Sequence, residues 1–264
     1  MVTIYVGPER KDFIVHKKLL CESAQFFKGA LTRDFEEAHK GEIVMPEDSP
    51  GAFSLYVDWI YRTTLPTGNT DEHLHNLYDL YIFAEKLRLV ELKDKTMDSI
   101  QDMAKKYDLK DELITVDLVS KVLLNTRPKW VGLRYFLIHH MVFVYLNKYL
   151  DDNEEDLPSE NEYDSESSEY EFGDVVTTYV MRRDVKKVYE IAINCNDFRF
   201  LDMFIKRLIF ASKAEGPRDV EDVRYRGITV GRCSFHCHGK EVDCRAVNGA
   251  SDAFLRKSDI NKKA

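Results

Sequence analysis

The chain has 264 residues, and 44% of them are hydrophobic, which predicts a globular protein with a substantial core. Its longest uninterrupted apolar run, residues 141–146, is far short of the roughly 18 residues that a membrane-spanning helix needs, so we expect no membrane segment. The net charge of −8 is uneven, because residues 151–174 hold twelve acidic side chains and no basic one, which leaves +4 for the rest of the chain.

Neither the first residues nor the cysteines indicate secretion. Met1 is followed by Val-Thr-Ile-Tyr-Val, without the basic start and the apolar run of a secretory signal. An odd number of cysteines without such a signal predicts reduced thiols rather than a disulfide framework. The five are Cys21, Cys195, Cys233, Cys237 and Cys244. We therefore expect a soluble protein of the cytoplasm, the nucleus or both.

The first part of the chain predicts two strands that lead into a helix. Residues 2–6 alternate apolar and polar side chains, and Gly7-Pro8 predicts a turn into a second strand over residues 12–15. At His16 the spacing of apolar residues changes from that of a strand to that of a helix. The polar residues 32–41 predict a loop, and residues 42–45 predict a third, short strand.

Helices follow the third strand. Ser49-Pro50 predicts a helix start, with serine as the cap and proline at the first helical position, where no amide donor is lost. Thr70 predicts the cap of a second helix, and residues 91–107 predict a third. Strands followed by a succession of helices indicate an α+β fold.

These segments, in this order and spacing, resemble the BTB/POZ domain, most closely its fungal branch. The matching pieces are Val2-x-Ile-x-Val-Gly7, Phe13-x-Val-His-Lys-x-Leu-Leu-Cys-x-Ser23-x-x-Phe-Phe27, Phe35-x-Glu37, Ile43-x-Met-Pro46, Pro50-x-x-Phe53 with Trp59-Ile-Tyr61, and Ala84-Glu-Lys-Leu87 to Leu92. The resemblance covers residues 1–110 and implies the BTB/POZ fold, a short mixed sheet capped by a helical cluster. It also implies that His16 serves the fold rather than catalysis.

Beyond residue 110 the chain continues to predict helices. Residues 111–150 predict an all-helical extension, and the segment from Leu113 to Val122, together with Arg134, resembles the helical segment that follows the domain in many fungal members. Residues 175–215 predict closing helices. Residues 216–264 form a tail in which we predict a short Cys/His-rich hairpin.

The acidic residues 151–174 predict a flexible loop, because like charges repel one another and few apolar groups are present to favour ordering. The loop is either a solvated spacer or a segment that binds a basic partner or is regulated by phosphorylation. The second alternative depends on Ser159 and Ser168, each of which has an acidic residue three positions further on.

The sequence contains none of the common catalytic motifs. It has no Gly-x-Ser-x-Gly elbow, no phosphate-binding glycine loop and no His-Glu-x-x-His pair. His139 and His140 lie in an apolar helical segment, where packing explains them without a catalytic role. We therefore predict that the protein is not an enzyme.

The tail contains the one group of residues with ligand chemistry. Thiolate sulfur and imidazole nitrogen are ligands that zinc favours, usually four in a tetrahedron. Cys233, His236, His238 and Cys244 have the spacing C-x2-H-x-H-x5-C, which is compact enough for a single structural zinc ion. Cys237 could compete with His236 as a ligand. The alternative is a hairpin without metal and with free thiols.

A scaffold without catalytic residues predicts a non-catalytic protein–protein interaction module. The resemblance implies a domain that dimerises or recruits a partner, and one class of the family docks a cullin scaffold as substrate adaptor of a ubiquitin ligase. In that class a hydrophobic-x-Glu motif before the third strand contacts the cullin, and Phe35 and Glu37 stand at that position. The alternative is that Phe35 anchors the loop and Glu37 is merely solvated.

The first strand and the C-terminal tail bear on two further kinds of partner, a second copy of the chain and nucleic acid. Because the sequence starts at the first strand, we expect any homodimer to form through helices rather than by strand exchange. Two alternative functions remain: a nuclear transcriptional regulator that uses the Cys/His tail, and a zinc-dependent enzyme. Residues 211–264 carry a net charge of only +3, so we expect no nucleic-acid binding.

Overall fold

The computed structural model describes residues 1–32, 36–129, 131–152, 185–212, 222–225 and 233–238. Within these ranges the strands β1 (Val2–Val6), β2 (Lys11–Val15) and β3 (Glu42–Met45) form one sheet in the order β2-β1-β3. β1 pairs antiparallel with β2 and parallel with β3, which places Ile4 between Phe13 and Ile43. The small mixed sheet is as predicted, and β3 is one of its edges.

The bend at His16 joins the sheet to helices α1 (Lys17–Ser23) and α2 (Gln25–Thr32). The Nδ1 atom of His16 lies 2.5 Å from the hydroxyl of Tyr61, and the backbone N–H of His16 donates to the same oxygen at 3.2 Å. Tyr61 belongs to α4 (Pro50–Arg62). These contacts tie the bend to α4 and give His16 a structural role.

The predicted loop over residues 32–41 is wrong in part, because Glu36–Lys40 forms a short helix, α3. Glu36 and Lys40 form an i, i+4 ion pair. The acidic residues lie in its first turn and the basic ones in its last turn, which complements the helix dipole. No residue of α3 is buried, so charge pairing rather than apolar packing favours this helix.

Helices α4, α5 (Asp71–Leu87) and α6 (Val90–Lys106) follow. As predicted, Pro50 opens α4 and the Ser49 side chain accepts the N–H of Ala52 at 3.3 Å. Thr70 caps α5 by accepting the N–H of His73 at 3.1 Å. The side chains of Phe53, Tyr56 and Phe83 are all 2% exposed or less, and the ring of Phe83 packs edge to face on the other two.

The extension packs on the same core. A 3-10 turn, Asp111–Ile114, precedes α7 (Val116–Asn125), and α8 spans Leu133–Asp152. The α-helix of the predicted extension therefore begins at Val116 rather than at residue 111, because Thr115 caps α7 by accepting the N–H of Leu118 at 3.3 Å. The predicted boundary at residue 150 is early, since α8 continues through the first two residues of the acidic stretch.

The closing helices are α9 (Val185–Cys195) and α10 (Phe198–Phe210). Residues 153–184 lie outside the described residues. They include the rest of the acidic stretch, with Ser159 and Ser168. The tail is described only over residues 222–225 and 233–238. None of the helices in the described ranges has the length and apolar character needed to cross a membrane.

Candidate functional site

Two places in the described chain bring functional side chains together. The first is the α2–β3 groove, a depression of about 460 Å³ between α2, α3 and β3. The residues that line it are Gln25, Phe26, Gly29, Ala30, Glu37, Ile43 and Val44. The side chains of Phe26 and Val44 are 45% and 48% exposed. The groove therefore offers apolar surface together with one carboxylate.

Local structure explains why these side chains face outward. β3 alternates between buried and exposed positions, so Ile43 and Met45 enter the core and Val44 does not. Phe26 precedes the fully buried Phe27 on α2 and touches its ring, with centroids 5.1 Å apart. Glu37 was predicted from the sequence, whereas Phe26 and Val44 were not. Phe35 lies outside the described residues.

The second place is the Cys/His knuckle, residues 233–238. The N–H of His236 donates to the carbonyl of Cys233 at 3.1 Å, which closes a tight turn. One side-chain ligand atom from each of Cys233, His236 and His238 lies within 4.8 Å of the other two. The Nδ1 atom of His236 is 3.2 Å from the Nε2 atom of His238. Three of the four predicted ligands are thus close together, and Cys244 lies outside the described residues.

Two carboxylates of α6 hold the knuckle. The Nε2 atom of His236 lies 2.9 Å from Oδ1 of Asp98. Asp94, one turn earlier, accepts the backbone N–H of Cys237 at 2.6 Å. Burial raises the pKa of Asp94, although the bond from Cys237 opposes this shift. Sequence reasoning missed both acids, whose only signal was their i, i+4 spacing on one helix face.

The knuckle also inserts into the helical core. Phe235 is only 3% exposed and packs on Tyr135 and Phe136 of α8, with ring centroids 5.8 and 5.3 Å away. The Cys237 thiol lies 3.3 Å from the Tyr81 hydroxyl and is not among the three clustered ligand atoms. The structure therefore turns Cys237 away from the position in which it would compete with His236.

Gly132 makes this close packing possible. Its backbone is left-handed, with φ of 59°. A Cβ atom at this position would lie 2.7 Å from the Cys237 sulfur and closer still to the Tyr81 hydroxyl. The Tyr81 hydroxyl in turn accepts the N–H of Leu133 at 3.2 Å, at the start of α8. A side chain at residue 132 would push the knuckle away from α5.

A pocket of about 320 Å³ beside Cys237 is rich in cations, but most of its charge is already paired. Lys93 and Arg127 both contact the Glu85 carboxylate, at 2.5 and 3.0 Å. Arg134 is bound to Asp197 at 3.2 Å. This pairing neutralises much of the positive charge, so the pocket is a weaker candidate for anion binding than its composition indicates.

Comparison with known proteins concerns the part of the chain that contains the α2–β3 groove. Residues 2–104 match the family model of the BTB/POZ domain. Kelch-like ECH-associated protein 1A from Danio rerio is 34% identical over 59 residues, which are 22% of this chain and 10% of that protein. Kelch repeat and BTB domain-containing protein 4 from Homo sapiens is 34% identical over 77 residues, or 29% and 14% of the two chains. Its counterpart from Mus musculus is 32% identical over 79 residues, or 30% and 15%.

The family model thus confirms the predicted BTB/POZ domain over residues 2–104. The matches cover only a small part of these relatives' own lengths. All three relatives come from animals, so the resemblance to the fungal branch stays a prediction.

Proposed function

We propose, from the BTB/POZ domain of residues 2–104, that this chain acts through protein–protein interaction and serves as a substrate adaptor of a cullin-based ubiquitin ligase. The α2–β3 groove is the observation that carries the proposal. Its exposed Phe26 and Val44 lie beside Glu37, the glutamate of the hydrophobic-x-Glu motif. In the cullin-binding class of the family, that motif contacts the cullin. An adaptor of this kind acts in the cytoplasm, the nucleus or both.

The chemistry of the groove suits a helical or extended segment of a partner protein. Burial of apolar surface contributes about 25 cal/mol per Å² removed from water, and an aromatic side chain such as Phe26 is a frequent centre of binding energy. Glu37 at the same groove adds a charge that selects a partner with a complementary basic residue. We propose that Phe35, which precedes α3, completes the apolar contact.

Binding to a purified cullin scaffold tests the proposal. We expect Phe26→Ala to weaken binding at least about tenfold, which corresponds to about 1.4 kcal/mol, and Phe35→Ala/Glu37→Lys to weaken it further. Ile14→Ala is the matched control, because Ile14 is 63% exposed on β2, the opposite edge of the sheet. Circular dichroism of each variant checks that its fold is unchanged.

The two levels of the proposal fail in different ways. A wild-type chain that does not bind the cullin scaffold refutes the adaptor role. A chain that captures other proteins equally well with and without the Phe26→Ala change refutes the groove as the docking surface.

A further inference from the structure

We propose that the Cys/His knuckle binds a structural zinc ion through Cys233, His236 and His238, and that Asp98 orients His236 for this role. The ion would fasten the C-terminal segment to α6. This inference does not depend on the adaptor function, because the knuckle belongs to a different part of the chain from the α2–β3 groove.

The spacing of the ligand atoms fits zinc. With zinc–nitrogen bonds of about 2.0 to 2.1 Å, two imidazole nitrogens in a tetrahedral site lie about 3.3 Å apart. The Nδ1 atom of His236 and the Nε2 atom of His238 are 3.2 Å apart. A zinc–thiolate bond of about 2.3 Å places sulfur about 3.6 Å from each nitrogen. The three ligand atoms lie within 4.8 Å of one another, so the sulfur has to move toward the nitrogens by at most about 1.2 Å when the ion binds.

The hydrogen bond to Asp98 selects the right nitrogen. Because a carboxylate only accepts hydrogen bonds, the Nε2 atom of His236 carries the proton in the 2.9 Å contact with Asp98. The nitrogen of His236 that faces His238 is then Nδ1, and this is the atom that would bind the ion. Metal-bound histidines commonly donate their second N–H to a carboxylate, which fixes the ring and strengthens the metal bond. Asp98 is therefore a positioning residue, not a ligand.

The surroundings of the knuckle favour a structural ion over a reactive one. Phe235 is buried against α8, and the N–H of Cys237 is bound to Asp94, so the backbone between the ligands is fixed on both sides. The Cys237 thiol contacts Tyr81 instead of the ligand cluster. An ion that binds only this folded arrangement stabilises it by mass action. The metal and the helical core thus stabilise the same conformation.

Zinc measurement on the purified full-length chain tests the proposal. We expect about one zinc per chain by elemental analysis, and a cobalt-substituted protein with the absorption of a tetrahedral thiolate site. Cys233→Ser and His236→Ala should lose the bound metal. Cys237→Ser is the matched control, because it changes a neighbouring thiol that we place outside the ligand set, and His75→Ala controls for an exposed histidine.

Asp98→Asn tests the positioning role separately. The amide keeps the size of the carboxylate but weakens its acceptance of the His236 proton, so zinc affinity measured by competition with a chelator should fall roughly 10- to 100-fold. The cobalt spectrum should keep its tetrahedral form. Wild-type zinc affinity in Asp98→Asn would overturn the positioning role.

Three results would overturn the zinc site. The first is that the wild-type protein contains no zinc after incubation with zinc and shows no cobalt absorption after incubation with cobalt. A hydrogen bond between the two histidines would then explain their contact. The second is Cys237→Ser losing zinc as fully as Cys233→Ser does. The third is that His236→Ala binds zinc as tightly as wild type. This result would be informative even if the variant were less stable than wild type.

Discussion

His140 makes the stability of this protein depend on pH. Its side chain on α8 has no exposed surface and stacks on Phe136, with ring centroids 5.5 Å apart. Its Nε2–H donates to the carbonyl of Lys110 at 2.9 Å. Burial lowers the pKa of His140 from 6.5 to about 4. Arg224 lowers this pKa further, and the carboxylates of Asp222 and Asp111 oppose the shift.

The direction of the pH effect follows from this lowered pKa. Between pH 6.5 and about 4 the unfolded chain binds a proton at His140, whereas the folded chain does not. Stability is therefore fully present above the unfolded pKa and falls as the pH drops through this window. Each pKa unit corresponds to about 1.4 kcal/mol, so a change from about pH 7.5 to about pH 5 costs about 2 kcal/mol through His140 alone.

Urea denaturation of wild type and His140→Gln at the two pH values measures this contribution. Glutamine does not titrate, and its amide can still donate to the Lys110 carbonyl. We expect wild type to lose about 2 kcal/mol more than the variant between the two pH values. Burial also lowers the pKa of His139 to about 4, but His139 is present in both proteins and cancels in the difference. An equal loss in both proteins would refute a neutral, buried His140.

The remaining predictions concern four single substitutions, each measured on the purified chain. Arg134→Met should lower the free energy of unfolding by about 3 to 5 kcal/mol, because it leaves the Asp197 carboxylate without its buried partner. Lys206→Met, which removes an exposed ion pair, should lower the free energy of unfolding by less than about 1 kcal/mol. If the two variants lost equal stability, burial would not explain the effect of Arg134→Met. Ser49→Ala should cost about 1 kcal/mol in urea denaturation through loss of the α4 cap; no change would contradict it. Cys244→Ser should weaken zinc binding if Cys244 is the fourth ligand, and wild-type affinity would exclude it.

The strands and caps could be predicted because their signals are local. Ser49 and Thr70 stand within three residues of the N–H groups that they accept, and the alternation along residues 2–6 spans one strand. Helix α3 was missed for the opposite reason. It has no buried residue, so no apolar period marks it, and an ion pair between Glu36 and Lys40 is a weak signal in a polar segment.

In the candidate zinc site, too, the local features could be predicted from the sequence and the long-range contacts could not. Cys233, His236 and His238 lie within six residues, so their spacing alone indicated a site. The partners that position them come from α6 and α5, at sequence separations of 138 residues for Asp98 and 156 residues between Tyr81 and Cys237. No local pattern records contacts over such distances. The orientation of Cys237, which the sequence left open, depends on them entirely.

Other contacts between distant parts of the chain show that the helical extension shares a core with the BTB/POZ domain. Tyr78 of α5 is fully buried, and its hydroxyl donates to the carbonyl of Leu113 at 2.9 Å, just beyond the end of the matched segment. One cluster of buried side chains runs from β1 through α10 to Phe235. Residue 110 therefore marks the end of a sequence resemblance and not the edge of a core. A metal ion at the knuckle would act on this shared core, because its ligand His236 contacts Asp98 of α6 and the neighbouring Phe235 packs against α8.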